Sequence, residues 1–292
     1  MPSAHLPDRG VVKVSGEDAR TFLDGLLTCD MDRVSPRRAR LGALLTPQGK
    51  ILFDFIVFEA PQEIGGGYFL DVTKVFAPDL AKRLAFYRLR ARVLIEDKSD
   101  ALAVVAGWDA PPPADEAGLI CEDPRLPALG WRGVVAAEDA AEFATVPPED
   151  YHARRIALGV PEGGRDFLFG EAFPHEALMD QLHGVDFDKG CYVGQEVVSR
   201  MQHRGTARTR IVPAVYEGGF AAEAGAEVTA GEKLLGKAGT GARGRGLLMI
   251  RLDRAAEALA AGETIRAGGI PVTLDKPDWI GFPFPGGADE RI

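Results

Sequence analysis

Three cysteines, at positions 29, 121 and 191, are all that 292 residues contain, and they form neither a Cys-x-x-Cys pair nor a cluster. Thiols so far apart and odd in number argue against a disulfide framework and for a reducing compartment, so a cytoplasmic location is expected. With only 5 histidines and no His-Glu-x-x-His helix, the sequence offers no converging set of three or four ligands. No resident metal or cluster is expected. A Gly-x-Ser-x-Gly elbow is missing, which removes the usual serine hydrolase arrangement. The partial P-loop at Gly231 and Gly236-Lys237 ends on Ala238, where magnesium would need a hydroxyl. No uninterrupted apolar run reaches about 18 residues, and residues 1–10 lack the apolar centre of a secretory signal, so the chain is expected to be neither membrane-spanning nor secreted.

Positive charge is also in short supply. Lys and Arg number 34 against 43 Asp and Glu, a net charge of -9. Phosphate backbones are held by clustered cations that release counterions, so direct nucleic-acid binding is not expected. A small molecule or a protein is the expected partner.

What is present is ample apolar content, 46%, enough for two or three domains of about 100–150 residues each. Residues 10–14 read as a strand. Ser15 with Asp18 resembles a capping box opening a helix whose stripe is Ala19, Phe22, Leu23, Leu26 and Leu27. Residues 41–45 and 51–58 form an expected hairpin around Thr46-Pro47-Gln48-Gly49-Lys50. Asp54 interrupts the second apolar run, facing water, a cavity or a partner. Further strands are expected near 68–72, 91–96, 101–106 and 131–136, with helices over 78–87 and 149–158, the latter ended by Gly159 in a left-handed cap. Residues 110–114, with three prolines, read as a linker or long loop. Hairpins beside crossovers give an α+β class. From Gly205 the pattern becomes short apolar segments at 210–216, 227–236, 246–252 and 270–274 between glycine-rich turns, the mark of a small β-barrel, with a helical turn over 253–261. The expected division is 1–204, itself two interleaved α+β subdomains, and 205–292. Gly239 to Gly244 fits Gly-x-Gly-x-x-Gly but lacks a following helix, so it reads as a chance match.

The densest chemistry lies in Lys189-Gly190-Cys191-Tyr192-Val193-Gly194-Gln195-Glu196. A neighbouring ammonium favours a thiolate, which makes Cys191 a reactive-thiol candidate beside Lys189. Gly190 and Gly194 imply tight turns or a closely approached backbone, and Gln195 and Glu196 have donors and acceptors for a heterocycle. The segment reads as a binding loop. The alternative is a turn holding an inert, packed cysteine. Glu176, after Pro174-His175, stands at an expected helix start, where a carboxylate either opposes the dipole or accepts two adjacent N–H donors from a pterin. His183 and His203 flank the cysteine motif in sequence and read as ordinary structural or surface residues.

The eight-residue motif resembles the signature of the folate-binding YgfZ family of iron–sulfur maturation factors, relatives of the glycine-cleavage T protein, an aminomethyltransferase. Residues 14–19 with Phe22-Leu23, the 46–50 turn, Tyr87-Arg88-Leu89-Arg90-Ala91-Arg92-Val93 and Arg155-Ile156-Ala157-Leu158-Gly159-Val160-Pro161 resemble family landmarks in family order. The resemblance implies an aminomethyltransferase-like body of several subdomains around a central channel that binds tetrahydrofolate or a one-carbon derivative. Cys191 matches the signature cysteine. Glu176 falls where T proteins place a pterin-binding carboxylate, with Tyr192, Gly194, Gln195 and Glu196 as further folate contacts. T proteins have a paired acidic run near Asp54; here Phe53 replaces one acid, which puts glycine cleavage in doubt. The expected function is iron–sulfur cluster assembly or repair in client enzymes, with indirect effects on tRNA modification. The expected partners are folate and iron–sulfur client or assembly proteins. A folate-dependent one-carbon transferase using Asp54, and a non-catalytic adaptor, are the alternatives.

Overall fold

The computed structural model describes residues 1–113, 119–205 and 207–286. Ala114 of the expected linker, Thr206 and the last six residues of the expected barrel region lie outside them. Two compact units divide the chain: Met1–Tyr151 with Leu182–Val197, and His152–Gln181 with Val198–Ile292. Each unit is drawn from two separate stretches of the sequence.

The first unit holds strands β1 (Ser3–His5) and β2 (Arg9–Ser15), helix α1 (Ala19–Asp24), strands β3 (Arg40–Leu45), β4 (Ile51–Glu59) and β5 (Tyr68–Thr73), helix α2 (Ala77–Tyr87), and strands β6 (Leu94–Asp97), β7 (Leu102–Gly107), β8 (Leu119–Glu122) and β9 (Trp131–Ala136). Helix α3 (Pro148–Ala157) begins in it. Two antiparallel sheets form, of order β3-β4-β5-β2-β6 and β1-β7-β9-β8. Strand periodicity sorts the side chains. Val12, Val14, Phe55, Val57, Leu70 and Val72 share a core with Leu23 and Leu27 of the α1 region and with Leu80 and Leu84 of α2. The opposite faces, Val11, Ile56, Phe58 and Phe69, share another with Val104, Ala106 and Val134. The five-stranded sheet is therefore covered on both faces, which is why β2 to β5 read as nearly continuous apolar runs.

A charged network is buried in this unit. Asp71 accepts from Arg9 Nε at 2.7 Å and Arg132 Nε at 2.8 Å, while Arg132 and Arg125 each donate to Tyr151 Oη at 2.7 Å. Each buried charge has an opposite partner, the condition under which such groups are tolerated. The expected capping box does not form. Asp18 instead accepts from the backbone N–H and guanidinium of Arg92, which holds its carboxyl below the usual range.

In the second unit, β10 (Thr209–Tyr216), β11 (Glu227–Ala230), β12 (Lys233–Ala242), β13 (Arg245–Arg251), β14 (Ile265–Ala267) and β15 (Ile270–Leu274) close a barrel of order β10-β13-β12-β11-β14-β15. Helix α4 (Gln195–Arg204) runs from the first unit into this one, and α5 (Leu252–Ala260) follows β13. The expected strand over 227–236 is two strands turning at Gly231, whose φ is 55°. The Gly239-Thr240-Gly241 stretch is barrel strand: a Cβ on Gly239 would lie 2.7 Å from Asp166 Oδ1, which also accepts from Thr240 N and Oγ1. Asp166 in turn receives Arg155 Nη1 at 2.7 Å. The Arg155 landmark thus serves as a buried tie between the turn-rich segment 152–181 and the barrel. Gly159 ends α3 with φ 80°, as its position requires. Among the described residues, no helix is long and apolar enough to cross a membrane.

Candidate functional site

The cysteine motif is fastened to the first unit by its charged neighbours. Helix α1 ends at Asp24 and leaves carbonyls without intrahelical donors. Lys189 fills that need: its Nζ donates to the carbonyls of Asp24, Leu27 and Cys29 at 2.7, 2.9 and 2.9 Å and lies 3.0 Å from Asp24 Oδ1. The side chain is only 1% exposed. A few residues earlier Asp186 accepts from Arg33 and Arg40 at 2.8 Å and from the N–H of Asp30 at 2.7 Å. Thr28 Oγ1 donates to the Gly184 carbonyl at 2.6 Å and accepts from Ala43 N. Asp186, Arg40 and Thr28 carried no motif by which sequence reading could find them. Their signal is simply polar character within otherwise apolar stretches.

Past this clamp the chain emerges. Cys191 is exposed, whereas Cys29 and Cys121 are buried. Burial pushes the Cys29 thiol up to about 12. Gly190 has open space where a Cβ would sit, and its φ is not left-handed. The expected close approach is found instead at Gly194, with φ 83°: a Cβ there would lie 2.5 Å from the Thr46 carbonyl and 3.1 Å from Gly49 Cα. The cysteine motif and the Thr46–Lys50 turn, remote in sequence, are in backbone contact.

Tyr192 turns inward. Its ring lies 5.4 Å from Lys189 Nζ, it is 7% exposed, and its hydroxyl is buried with no hydrogen-bond partner among the described residues. Burial, with the Asp186 carboxylate nearby, pushes the phenol up to about 12. Gln195 and Glu196 are the first residues of α4 rather than part of a loop. Gln195 Oε1 lies 3.4 Å from the N–H of Tyr192, and Glu196 is exposed. Lys189 and Tyr192 thus turn inward on either side of the exposed Cys191, with Gln195 reaching back toward the Tyr192 N–H. Asp54 is half-exposed on β4 in the same unit, opposite Ala43 of β3. Phe53 faces the core of the unit, so an acid at 53 would be buried.

Glu176 belongs to the second unit. The helix expected there is replaced by successive turns, with Leu178 at φ 61°. Its half-buried carboxylate accepts from Phe173 N at 2.9 Å, and its carbonyl accepts from Ile211 N of β10. Adjacent lies a cleft of about 380 Å³ whose walls include His175, Asp180, Gln202, Arg210 and Phe282. Arg210 forms a two-point pair with Asp180 at 2.9 and 3.0 Å and stacks 4.3 Å from the Phe282 ring centre. His175 Nε2 lies 2.9 Å from Gln202 Oε1, and burial lowers the His175 pKa. None of these five was singled out in the sequence.

Residues 208–282 match the family model of the CAF17 C-terminal beta-barrel domain. The fold over 97% of this chain and 87% of the other resembles the glycine cleavage system aminomethyltransferase T of Bartonella henselae, with a TM-score of 0.74 at 14% identity. The chain thus has the aminomethyltransferase-like α+β fold with a terminal barrel. Among sequence relatives, the mitochondrial iron–sulfur cluster assembly factor IBA57 of Mus musculus is 32% identical over 94% of this chain and 84% of its own length. The Homo sapiens protein of that name is 35% identical over 71% of this chain and 64% of its own. The homologue from Mycosarcoma maydis is 38% identical over 72% and 56%. The chain spans a little over half the length of the fungal relatives it matches. These relatives are mitochondrial by name, which overturns the cytoplasmic expectation. Unpaired cysteines report a reducing environment, which more than one compartment provides. With the mouse relative covered over most of its length, the chain belongs to the IBA57 family of iron–sulfur cluster assembly factors.

Proposed function

We propose that the protein supports the assembly or repair of iron–sulfur clusters in client enzymes, with Cys191 as the working thiol. The observation that carries this reading is the contrast between Cys191 and its surroundings. Lys189 and Asp186 hold the preceding residues rigidly, Gly194 seats the following turn against Gly49, and the thiol between them is exposed. Neither packing nor φ requires glycine at 190, so its lack of a side chain leaves the approach to the thiol open. A thiolate so presented can ligate iron at the surface of a partner or client. The cluster is then cargo, shared with or passed to another protein. Effects on tRNA modification follow indirectly, through cluster-dependent enzymes.

The protein also binds tetrahydrofolate or a one-carbon derivative in this reading. What supports this is the Tyr192 hydroxyl, which is buried with no hydrogen-bond partner among the described residues, a state that ordinarily costs about 1–3 kcal/mol. In the second unit, the Glu176 carboxylate would accept adjacent pterin N–H groups. A reduced folate supplies one-carbon chemistry when bound. Lys189 acts here as a positioning residue that fixes the loop carrying Cys191.

Complementation of a deletion strain tests the reading. Activity of cluster-dependent enzymes should be restored by the wild type and by Asp54→Asn, and not by Cys191→Ser. Restoration by Cys191→Ser with failure of Asp54→Asn would transfer the function to one-carbon chemistry, and full restoration by both would leave an adaptor. Calorimetry with tetrahydrofolate under anaerobic conditions should show saturable binding that Glu176→Ala removes and Cys191→Ala keeps.

A further inference from the structure

The Tyr87-to-Val93 landmark is not absorbed by the site described above. It follows α2, whose apolar stripe, Leu80 and Leu84, is fully buried in the first unit. The residues at the end of this helix turn the other way. Phe86 is 74% exposed and Leu89 is 90% exposed. Leu89 occupies the left-handed region, φ 43°, in the stretch just after the helix where glycine is the residue of low cost. A leucine there carries backbone strain of about 1 kcal/mol and recovers no packing within the chain. Leu94, 53% exposed, lies at the start of β6, which packs against α2 and is an edge strand of its sheet.

Exposed cations flank these apolar groups along the chain. Residues 82–92 contain Lys82, Arg83, Arg88, Arg90 and Arg92 and no acid, in a chain of net charge -9. Arg92 is occupied by Glu17 and Asp18. The other four cations are exposed and pair with no acid among the described residues. Asp79, the acid of α2, stands a turn away in its first turn. On a helix, Lys82 and Arg83 share the face of Phe86, at i+4 and i+3 spacing.

We infer that Phe86 and Leu89, ringed by Lys82, Arg83, Arg88 and Arg90, form a docking surface for a protein partner that presents Asp and Glu side chains around an apolar centre. Aromatic and aliphatic anchors at the centre with guanidinium groups at the rim are the composition of an energetically focused interface, and each arginine can grip a carboxylate at two points. A lipid surface shares the negative charge but fits less well. An interfacial helix inserts its apolar stripe, and that of α2 is already buried in the core. The inference concerns this surface alone and does not depend on the role assigned to Cys191.

A photoreactive benzoylphenylalanine placed at 86 or 89 in the full chain, irradiated in the native host, tests it. Phe220, 80% exposed in the second unit, supplies the control position. The expected result is an adduct from both 86 and 89 to one protein, mapped by mass spectrometry to a segment with excess Asp and Glu beside apolar residues. Arg88→Glu with Arg90→Glu should reduce that adduct about tenfold or more, since like charges then oppose each other, without altering the thermal midpoint. Adducts to lipid, to nucleic acid or to the chain itself, a yield no different from the 220 control, no adduct at all, or indifference to charge reversal would each overturn the assignment. Cluster-enzyme activities in a Cys191→Ser strain separate the two proposals: adducts that persist while those activities fall show both, and adducts that persist while activities hold show docking without the maturation role.

Discussion

Gly194 and Gly49 meet where two distant sequence motifs are pressed together: a Cβ at 194 would lie 3.1 Å from Gly49 Cα and one at 49 would lie 3.0 Å from Val197 Cβ. Both residues have left-handed φ, 83° and 79°. Gly194→Ala therefore combines an unfavourable backbone with overlap against the Thr46 carbonyl, which cannot move without the hairpin. A loss of about 2–4 kcal/mol is expected. Gly190→Ala, with open space and ordinary φ, should leave the melting temperature unchanged while slowing thiol-dependent function. Thermal melts of the two variants, read beside enzyme activation in cells, make the comparison.

Lys189 gives a second prediction. Lys189→Met keeps most of the buried stem but strands the carbonyls of Asp24, Leu27 and Cys29, and a loss of about 3 kcal/mol is expected. Amide exchange over residues 24–29 and 186–193 should accelerate. Alkylation of Cys191 by iodoacetamide should stay as fast or become faster as the loop loosens. A stable variant with alkylation slowed about tenfold would instead make the ammonium an activator of the thiol.

Protonation of His175 should couple to stability. Burial is the leading cause of its lowered pKa, partly offset by Asp180 and by the Gln202 contact. The unfolded chain therefore binds the proton more readily than the folded one. The sign follows: stability is fully present above the ordinary histidine value of about 6.5 and is lost as pH falls through the folded value. His5, also lowered by burial, acts in the same direction. Melts of the wild type between about pH 7.5 and 5 should show this decline, and His175→Gln should reduce its slope.

Local patterns were readable wherever one short segment decides its own structure. The hairpin around Thr46 to Lys50, the end of α3 at Gly159 and most barrel strands follow from alternation, proline and glycine. Local readings failed where neighbours distant in sequence prevail, as with Asp18 on Arg92, or where the pattern is faint. The helix expected at Glu176 gives way to turns held by Arg210 on the His175 carbonyl and by Ile211 on the Glu176 carbonyl. Helix α4 was hidden because it has one fully buried apolar residue, Val198, too little for a visible stripe. At the site, Cys191 was legible as a motif. The clamp of Asp186 on Arg40, 146 positions apart, was not, since pairing at that separation leaves no pattern in a single sequence.

Thiol reactivity should single out one cysteine of three. Cys29 is fully buried, with its thiol pushed up to about 12 and its Sγ packed where a Cβ on Gly42 would fall at 2.6 Å. Cys121 is buried, its Sγ 3.7 Å from the Pro36 carbonyl. Only the thiolate attacks an alkylating reagent, and only an exposed one meets it. Native protein treated with iodoacetamide near pH 8 should therefore take up one equivalent quickly, at Cys191, and the remaining two only on unfolding. Cys191→Ser should abolish the fast phase without shifting the melt. Rapid labelling at Cys29 in the folded wild type would mean that the Lys189 clamp opens on the timescale of alkylation. The rigid presentation of Cys191 on which the maturation reading depends would then be lost.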